Sequence, residues 1–351
     1  MSARPGTSVE SPTPLVSVIV PSFNYGHVVG QTLESLLAQT YPHWECVVVD
    51  DGSPDDTGAV VARYAERDRR VVYVRQENAG VAAARNNGIA RSRGEYVQFL
   101  DADDLIEARK LELHVAYLEA HPEVDIVYGG VRFFRTERPE ERLFSMSDEG
   151  ARSSYLPVIS AAGEGALRVL VGNMIPVNAP VTRRRVVERA APFDVKLNSV
   201  EDADFWIRCA AQGARFQYHD PEGTLALVRS HPASASKNRR KHLGKMIEMR
   251  AKVERTLTDP EARAANRKAW AEAQGYLGVE QAAAGSPLRG ALSLLKAAAL
   301  SRDARERAKW VACSLAAPFV PEGRLKKLPA TPISRWLRVA PESRAGAVAK
   351  R

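Results

Sequence analysis

The amino-acid sequence predicts an α/β protein built on a doubly wound, mostly parallel sheet. Within residues 15–104, short β-branched runs alternate four times with segments of helical period. The runs do not alternate apolar with polar residues, which indicates strands buried on both faces, as in a parallel sheet. Asn24, the pair Asp50 and Asp51, and the segment 101–104 stand at the ends of three of the runs. Polar side chains therefore gather at the carboxyl ends of the strands, where such sheets bind their ligands.

The elements of this first part follow from periodicity and turn chemistry. Strands are predicted at 15–21, 46–50, 71–75 and 96–100, and helices at 27–39, 57–68 and 81–92. The sequence Asp-Gly-Ser-Pro-Asp-Asp-Thr at 51–57 joins a turn to the N-terminal cap of a helix. This part lacks the GxGxxG motif of dinucleotide-binding folds, so that function is not predicted.

The remaining elements are less regular. A helix over 105–120 and a strand over 124–128 are followed by a polar, turn-rich segment, 135–165, which we expect to be an irregular insertion over the site. Next come a loop and strand at 173–182, a helix starting near 201, and strands at 215–218 and 224–228. Beyond about residue 236 the sequence is rich in Ala, Arg, Lys and Glu and predicts a helical extension to about residue 316.

The composition excludes several classes of protein. Apolar residues make up 45% of the 351 residues, so the chain is globular. Its three cysteines lie far apart, which excludes a disulfide framework and a zinc ribbon and fits a reducing cytosol. No apolar stretch is long enough to predict a transmembrane helix, and residues 1–14 are expected to be a disordered leader rather than a secretory signal. No zinc finger or RNP-type motif supports binding of nucleic acid.

The most informative stretch is Glu-Tyr-Val-Gln-Phe-Leu-Asp-Ala-Asp-Asp at 95–104, a buried strand that ends in three carboxylates. Side chains at i and i+2 of an extended segment point the same way, so Asp101 and Asp103 are expected to converge. Two carboxylates held together need a cation, and oxygen ligands select Mg²⁺ or Mn²⁺. A lone Asp-x-Asp is more often a solvated acidic loop; the motifs elsewhere in the chain favour the metal.

Five motifs occur in a fixed order along the chain. They are Val-Ile-Val-Pro-Ser-Phe-Asn at 18–24, Val-Asp-Asp-Gly-Ser at 49–53, Asn-Ala-Gly-Val-Ala-Ala-Ala-Arg-Asn at 78–86, Phe-Leu-Asp-Ala-Asp-Asp at 99–104 and Val-Glu-Asp-Ala-Asp-Phe-Trp at 200–206. Together they resemble a family 2 glycosyltransferase of the GT-A fold over residues 15–235. The resemblance implies inverting transfer of a sugar from a nucleotide-diphospho-sugar, with Mn²⁺ or Mg²⁺ as cofactor and a UDP-sugar as the favoured donor.

The resemblance also assigns the metal site. In the family the second Asp of the acidic motif binds the metal and the first lies nearer the ribose, which points to Asp103 and Asp101 respectively. Asp104 is expected either to support these ligands from behind or to cap the following helix. In related enzymes a His or Arg after the last strand approaches the diphosphate or the metal, and His231 and Arg229 fit that position. A structural histidine is the alternative.

The donor's base and ribose are held in the family by the Pro-x-Phe-Asn loop and by an Asp of the Asp-Asp-Gly-Ser turn. The corresponding residues here are Pro21, Phe23, Asn24 and Asp51, with Asp50 as the alternative to Asp51. For both aspartates, simple capping of the turn is the competing interpretation. Arg85 is expected either to face the phosphates or to pair with a carboxylate.

Inversion requires a general base that accepts the proton of the acceptor hydroxyl. The Glu-Asp pair at 201–202 matches the family's base motif; Asp202 is the predicted base and Glu201 its rival. Acidic residues also favour the first turn of a helix because of its dipole, which is the structural alternative. Phe205 and Trp206 could wall an apolar pocket that raises the pKa of the carboxylate.

One departure from the family concerns processivity. Processive synthases carry Gln-x-x-Arg-Trp near the end together with transmembrane helices; here Arg335 and Trp336 are present, but Pro332 replaces the Gln. We therefore expect one sugar to be transferred, to a glycan, lipid-linked or small-molecule acceptor. A catalytically inactive nucleotide-sugar binder in an assembly complex is the alternative, and a nucleotidyltransferase is disfavoured because no Gly-rich phosphate loop follows Pro21.

The predicted organisation is a catalytic domain at 15–235, with donor binding at 15–104 and the acceptor side at 105–235. A helical extension at 236–316 and a basic tail at 317–351 follow. Residues 321–351 carry a surplus of six positive charges with apolar residues between them. The tail could hold a cytoplasmic enzyme loosely at the inner face of an anionic membrane, although a disordered, solubilising tail is slightly favoured.

Overall fold

The computed structural model describes residues 13–144, 156–230 and 238–317. The first part of the chain alternates strands and helices as predicted. These elements are β1 (Val16–Ser22), α1 (Val29–Leu37), β2 (Trp44–Asp50), α2 (Thr57–Arg67), β3 (Val71–Arg75), α3 (Val81–Arg91) and β4 (Tyr96–Phe99). Every residue of β1, β2 and β4 is buried, which agrees with the absence of apolar–polar alternation in their sequences.

Two apolar layers cover this sheet on its two faces. Because side chains alternate along a strand, Val18 and Val20 of β1 pack with residues of α1 and α2, whereas Ile19 packs with Ala82 of α3. Helix α3 approaches β1 closely at Gly88, where an added Cβ would lie 2.3 Å from Ile19 Cγ2. The close packing holds α3 at the position from which it reaches the site.

The predicted helix over 105–120 is wrong at its start. Residues Leu105–Ile106 form a short strand, β5, and the helix α4 (Lys110–Ala120) begins only afterwards. The reason lies far along the chain, because β5 pairs with residues 226–227 and the Glu107 N–H donates to the Leu225 carbonyl. Long-range pairing thus overrides the local preference for helix.

The predicted irregular insertion is also wrong in part, because much of it is regular. After β6 (Ile126–Tyr128), the chain forms the hairpin of β7 (Val131–Arg135) and β8 (Arg138–Leu143), then β9 (Ser160–Ala162) and α5 (Gly163–Leu170). Residues 145–155 of the predicted insertion lie outside the described residues.

The next elements return the chain to the sheet. They are β10 (Pro180–Arg183), α6 (Arg184–Ala190), a 3₁₀ turn (Val195–Leu197), α7 (Glu201–Ala211), β11 (Arg215–Tyr218) and β12 (Ala226–Ser230). Helix α6 was not predicted, whereas the start of α7 at Glu201 was. The central sheet has the order β3-β2-β1-β4-β10-β6-β11-β9, and a smaller one has the order β5-β12-β7-β8. Strand β10 runs antiparallel to both neighbours and β9 runs antiparallel to β11. The other neighbouring strands are parallel, so the sheet is mostly parallel, as predicted.

The predicted helical extension is confirmed as α8 (Arg239–Glu254), α9 (Pro260–Ala283), α10 (Pro287–Leu300) and α11 (Ala304–Ala316). Helix α9 begins with proline after Asp259, whose carboxylate accepts the Ala262 N–H and also pairs with Arg168 of α5. Among the helices described, none is long and apolar enough to cross a bilayer.

Candidate active site

The candidate site lies where β1, β2 and β4 end, as the parallel sheet predicts. The turn after β4 and the first turn of α7 meet there, joined by the side chain of Arg85 from α3, and Tyr25 of the loop after β1 bonds to the same turn. The end of β12 approaches the same turn through Arg229. Residues from widely separated parts of the chain therefore form one polar cluster.

The acidic segment after β4 is a turn, not the extended segment that was expected. The Asp104 N–H donates to the Asp101 carbonyl at 3.0 Å, and the Thr32 hydroxyl donates to the Ala102 carbonyl at 2.8 Å. The alternation argument for Asp101 and Asp103 is therefore wrong, because it applies only to extended backbone. The two side chains are nevertheless close enough to interact. Burial raises the pKa of Asp101, and the negative charge of Asp103 raises it further.

Asp104 supports this turn from the interior. Its carboxylate accepts the Arg229 N–H at 2.7 Å and an Asn178 side-chain N–H at 2.5 Å, and burial raises its pKa well above the usual value. The predicted capping role is wrong because a strand, β5, follows it. The side chain of Arg229 contacts the main chain of the turn, since its Nε donates to the Asp103 carbonyl at 2.7 Å. His231, the other predicted neighbour of the metal, lies outside the described residues.

Tyr25 is a residue of the site that the sequence analysis did not single out. Burial, the charges of Asp103 and Asp101, and a side-chain hydrogen bond with Asp103 raise the pKa of the Tyr25 hydroxyl. Tyr25 follows Asn24 directly, so its place beside the Pro-x-Phe-Asn loop was the available signal. Its hydroxyl fixes the position of the Asp103 carboxylate.

Arg85 pairs with carboxylates, which is one of the two expected alternatives. Its guanidinium lies 2.6 Å from Asp101 Oδ1 and 2.5 Å from Glu201 Oε1, and the side chain is only 3% exposed. The guanidinium also lies over the ring of Phe193, 5.6 Å from its centre. The first turn of α7 is thus held against the acidic turn after β4 by a buried ion pair.

Asp202 differs from Glu201 in its surroundings. Glu201 is buried in the ion pair with Arg85, whereas Asp202 is half-buried and accepts the Ala203 N–H at 2.8 Å. Burial, followed by the charge of Glu201, raises the pKa of Asp202 to about 7. The adjoining Phe205 and Trp206 are buried in the core. A carboxyl with a pKa near neutrality can both accept and release a proton at physiological pH.

Asp50 and Asp51 are occupied by protein donors. Asp51 accepts the side-chain N–H of Gln76 at 2.7 Å and the backbone N–H groups of Ala79 and Gly80, both at 2.8 Å. Asp50 accepts the Ser53 N–H at 2.8 Å and the Tyr73 hydroxyl at 2.6 Å. The capping interpretation therefore describes Asp50, which caps its own turn, whereas Asp51 bonds to residues 76–80 and organises the loop that leads into α3.

The loop after β1 presents the other predicted donor-binding residues. Pro21 is buried within β1, whereas Phe23 is 42% exposed. Asn24 has a φ of +61°, a conformation that Asn tolerates better than most residues, and its N–H donates to Ser53 Oγ at 3.0 Å. The hydrogen bond joins the loop after β1 to the turn after β2 and leaves the Phe23 ring facing outward.

The carboxylates fit a divalent cation that takes part of its coordination from a substrate. Within the described parts of the chain, no group of three or more His, Cys, Asp or Glu residues is arranged to hold a metal ion. The two candidate ligands are Asp101 and Asp103, which interact electrostatically, and Mg²⁺ and Mn²⁺ sites commonly use one or two carboxylates plus substrate phosphates.

Comparisons with known proteins agree with the fold. Residues 17–184 match the family model described as glycosyl transferase family 2. An uncharacterized glycosyltransferase, EpsJ of Bacillus subtilis, is 31% identical over 222 residues, 63% of this chain and 62% of that protein. The putative teichuronic acid biosynthesis glycosyltransferase TuaG of the same organism is 45% identical over 107 residues, 30% of this chain and 42% of that protein. The chain thus spans less than two thirds of either relative.

Solved structures resemble most of the chain. Staphylococcus aureus TarS 1-349 in complex with UDP-GlcNAc has a TM-score of 0.60 at 20% identity, covering 86% of this chain and 87% of that one. The mannosyltransferase PcManGT of Pyrobaculum calidifontis, in complex with GDP-Man and Mn²⁺, has a TM-score of 0.55 at 25% identity, covering 87% and 86%. These likenesses confirm the predicted fold class, including helices beyond the central sheet.

Proposed function

Since this chain carries a domain of glycosyl transferase family 2, we propose that it transfers a single sugar from a nucleotide-diphospho-sugar to an acceptor hydroxyl, with inversion and with the aid of a divalent metal. The observation that carries the proposal is the link between two carboxylate sites. Arg85 joins the acidic turn after β4 to the first turn of α7, where Asp202 has a pKa of about 7. A leaving group and a base would meet there.

Asp202 is the proposed general base, and Glu201 is not. A base must be free to accept a proton, and the Glu201 carboxylate is held by the permanently charged guanidinium of Arg85. Ionised Asp202 would accept the proton of the acceptor hydroxyl while the oxygen forms a bond to the anomeric carbon. The bond from that carbon to the diphosphate breaks on the opposite face, and the nucleoside diphosphate leaves with the electron pair.

Asp103 and Asp101 are the proposed metal ligands, with Mn²⁺ or Mg²⁺ as the ion. When bound, the ion would act as a Lewis acid on the departing diphosphate. The chain's own part is to hold these carboxylates: Tyr25 bonds to Asp103, and Arg85 bonds to Asp101. Asp104 and Arg229 fix the backbone of the turn between them.

The donor is proposed to be a UDP-sugar, bound by Phe23 and the loops after β1 and β2. TarS binds UDP-GlcNAc and PcManGT binds GDP-Man, so both bases belong in any test. The acceptor is proposed to be a glycan, a lipid-linked sugar or a small molecule, and assembly of a surface polysaccharide fits the name of TuaG.

We propose residues 15–235 as the catalytic domain and residues 236–316 as its helical extension. A cytoplasmic location is supported by the buried free thiols of Cys46 and Cys209, which fit a reducing compartment. Loose contact of residues 321–351 with an anionic membrane also stays a proposal, since the tail lies outside the described residues.

The competing proposal is an inactive nucleotide-sugar-binding partner protein. A screen of the purified protein with Mn²⁺ and a panel of UDP-, GDP- and dTDP-sugars separates the two. Turnover of one donor, measured as release of the nucleoside diphosphate and abolished by EDTA, supports the enzyme. Donor binding by calorimetry without any turnover, with or without added acceptors, would favour the binding protein.

A further inference from the structure

The outer face of α10 carries an exposed apolar stripe. Leu288, Leu292 and Leu295 are 75%, 60% and 47% exposed. Their spacing of i, i+4 and i+7 places them along one side of the helix. A continuous row of large aliphatic side chains on a surface indicates a contact with a membrane or with the apolar surface of another protein.

These leucines do not support the fold of the chain. The opposite face of α10 carries Gly290, Leu294 and Ala297, which are buried. An added Cβ at Gly290 would lie 2.6 Å from the Gly278 carbonyl of α9, so the two helices are in close backbone contact. The inner face therefore fixes α10 in place, and the exposed leucines are available for a partner.

The charges beside the stripe have one sign. Helix α10 contains no acidic residue, and its two cations, Arg289 and Lys296, are exposed. Residues 287–317 together carry a surplus of four positive charges. The next helix, α11, adds an exposed pair of apolar residues, Val311 and Leu315, at i and i+4. Each of these two helices therefore exposes both apolar and cationic residues.

We infer that the outer face of α10 docks on an anionic lipid bilayer. A helix with leucines on one side and flanking Lys and Arg suits the interfacial zone, where the side chains enter the acyl region and the cations meet lipid phosphates. Helix α10 has 14 residues and is too short to span a bilayer, so it lies in the plane of the membrane.

Charge argues against two other occupants. A second copy of the same face would bring cationic surfaces together. The chain's own residues 321–351 carry a surplus of six positive charges and would be repelled in the same way. An anionic surface satisfies both the leucines and the cations. The inference concerns membrane attachment and is independent of the proposed sugar transfer.

The test is co-sedimentation of the full chain with vesicles of phosphatidylcholine alone and of phosphatidylcholine with phosphatidylglycerol, at low and high salt. The variant replaces Leu288, Leu292 and Leu295 together by Gln, which removes the apolar stripe and retains helix propensity. A matched control replaces Val72, Val158 and Val195 by Gln, three exposed apolar residues elsewhere on the chain. Circular dichroism shows whether each variant folds.

The wild type and the control should bind the anionic vesicles and release them at high salt. The leucine variant should bind about tenfold more weakly or worse, and an Arg289→Gln, Lys296→Gln variant should lose most of the preference for phosphatidylglycerol. Wild-type-like binding by the leucine variant would overturn the inference and assign membrane contact to another segment. Absence of vesicle binding by the wild type would also overturn it. If the wild type bound no vesicles but formed dimers that the leucine variant did not form, the stripe would be assigned to contact between two copies of the chain.

Discussion

The guanidinium of Arg85 lies 2.5 Å from an oxygen of Glu201, 116 positions further along the chain. The same group pairs with Asp101, so one buried cation neutralises carboxylates from two separate elements. Because buried charges are costly without a partner, removal of this cation would affect both sides of the site.

Arg85→Gln is expected to move the acid limb of the pH–activity profile to higher pH. The charge of Arg85 lowers the pKa of both Asp202 and Asp101, so its loss makes their ionisation harder. Arg85→Lys keeps the charge and should retain most of the wild-type pH profile, even with a lower kcat. Profiles of kcat/KM for the three proteins test this, and an unshifted limb in a folded Arg85→Gln protein would contradict it.

Asp202→Asn is expected to lower kcat by a factor on the order of 10²–10⁴, because general-base catalysis contributes that much. Donor affinity should change little, since the base acts on the acceptor proton in the transition state. Glu201→Gln is the comparison, and it should act mainly through the ion pair with Arg85. Steady-state kinetics and donor calorimetry check this. A large rise in donor Kd with unchanged kcat would assign Asp202 to binding instead.

Activity is expected to rise with pH through about 7. The pKa of Asp202 is raised to about 7, so the carboxyl is protonated below this pH and cannot accept a proton. Above it the carboxylate is ionised and the base is active, which predicts a plateau. The acid limb should be absent from the residual activity of Asp202→Asn. Retention of the same limb by that variant would show that another group titrates.

Asp103→Ala is expected to abolish metal-dependent turnover and to leave the fold intact. The half-buried carboxylate is the proposed direct ligand, so its loss should weaken Mn²⁺ binding measured by calorimetry in the presence of donor. Asp68→Ala, at a carboxylate that pairs with Arg70 near β3, is the control and should behave as wild type. Near-normal turnover of Asp103→Ala in EDTA would exclude the metal assignment.

Lys110 provides a prediction for stability. Its buried Nζ donates to the carbonyls of Ala179 at 2.7 Å and Thr224 at 3.2 Å, and burial lowers its pKa to about 7. At pH values between about 7 and the pKa of an exposed lysine, Lys110 is protonated more fully in the unfolded state than in the folded state. Lys110 therefore makes the free energy of unfolding rise with pH, by up to about 1.4 kcal/mol per pH unit. The free energy of unfolding is measured by urea titration at pH 7.5, 8.5 and 9.5 for the wild type and for Lys110→Met. The difference between the two slopes against pH is the contribution of Lys110, and it would be about zero if Lys110 contributes none.

The sequence predicted most of the first half of the fold because its signals are local. Strands β1 to β4 are short β-branched runs between turn residues, and the helices between them repeat at helical spacing. The Asp-rich strand ends and the start of α7 at Glu201 were visible for the same reason. Strands β5 and β7 were missed because both pair with β12, which lies almost a hundred residues beyond β7 along the chain.

The sequence predicted most residues of the candidate site, Tyr25 excepted, whereas their partners were decided by the tertiary structure. Local sequence contains no information on which of two expected partners Arg85 meets. The packing of α3 against β1 and β2, and of α7 against Phe99 of β4, brings it to Asp101 and Glu201. The contrast between Glu201 and Asp202 arises in the same way, because neighbours in the sequence face different surroundings on a helix. Charge pairing and burial depend on distances through space, and these exist only once the chain has folded.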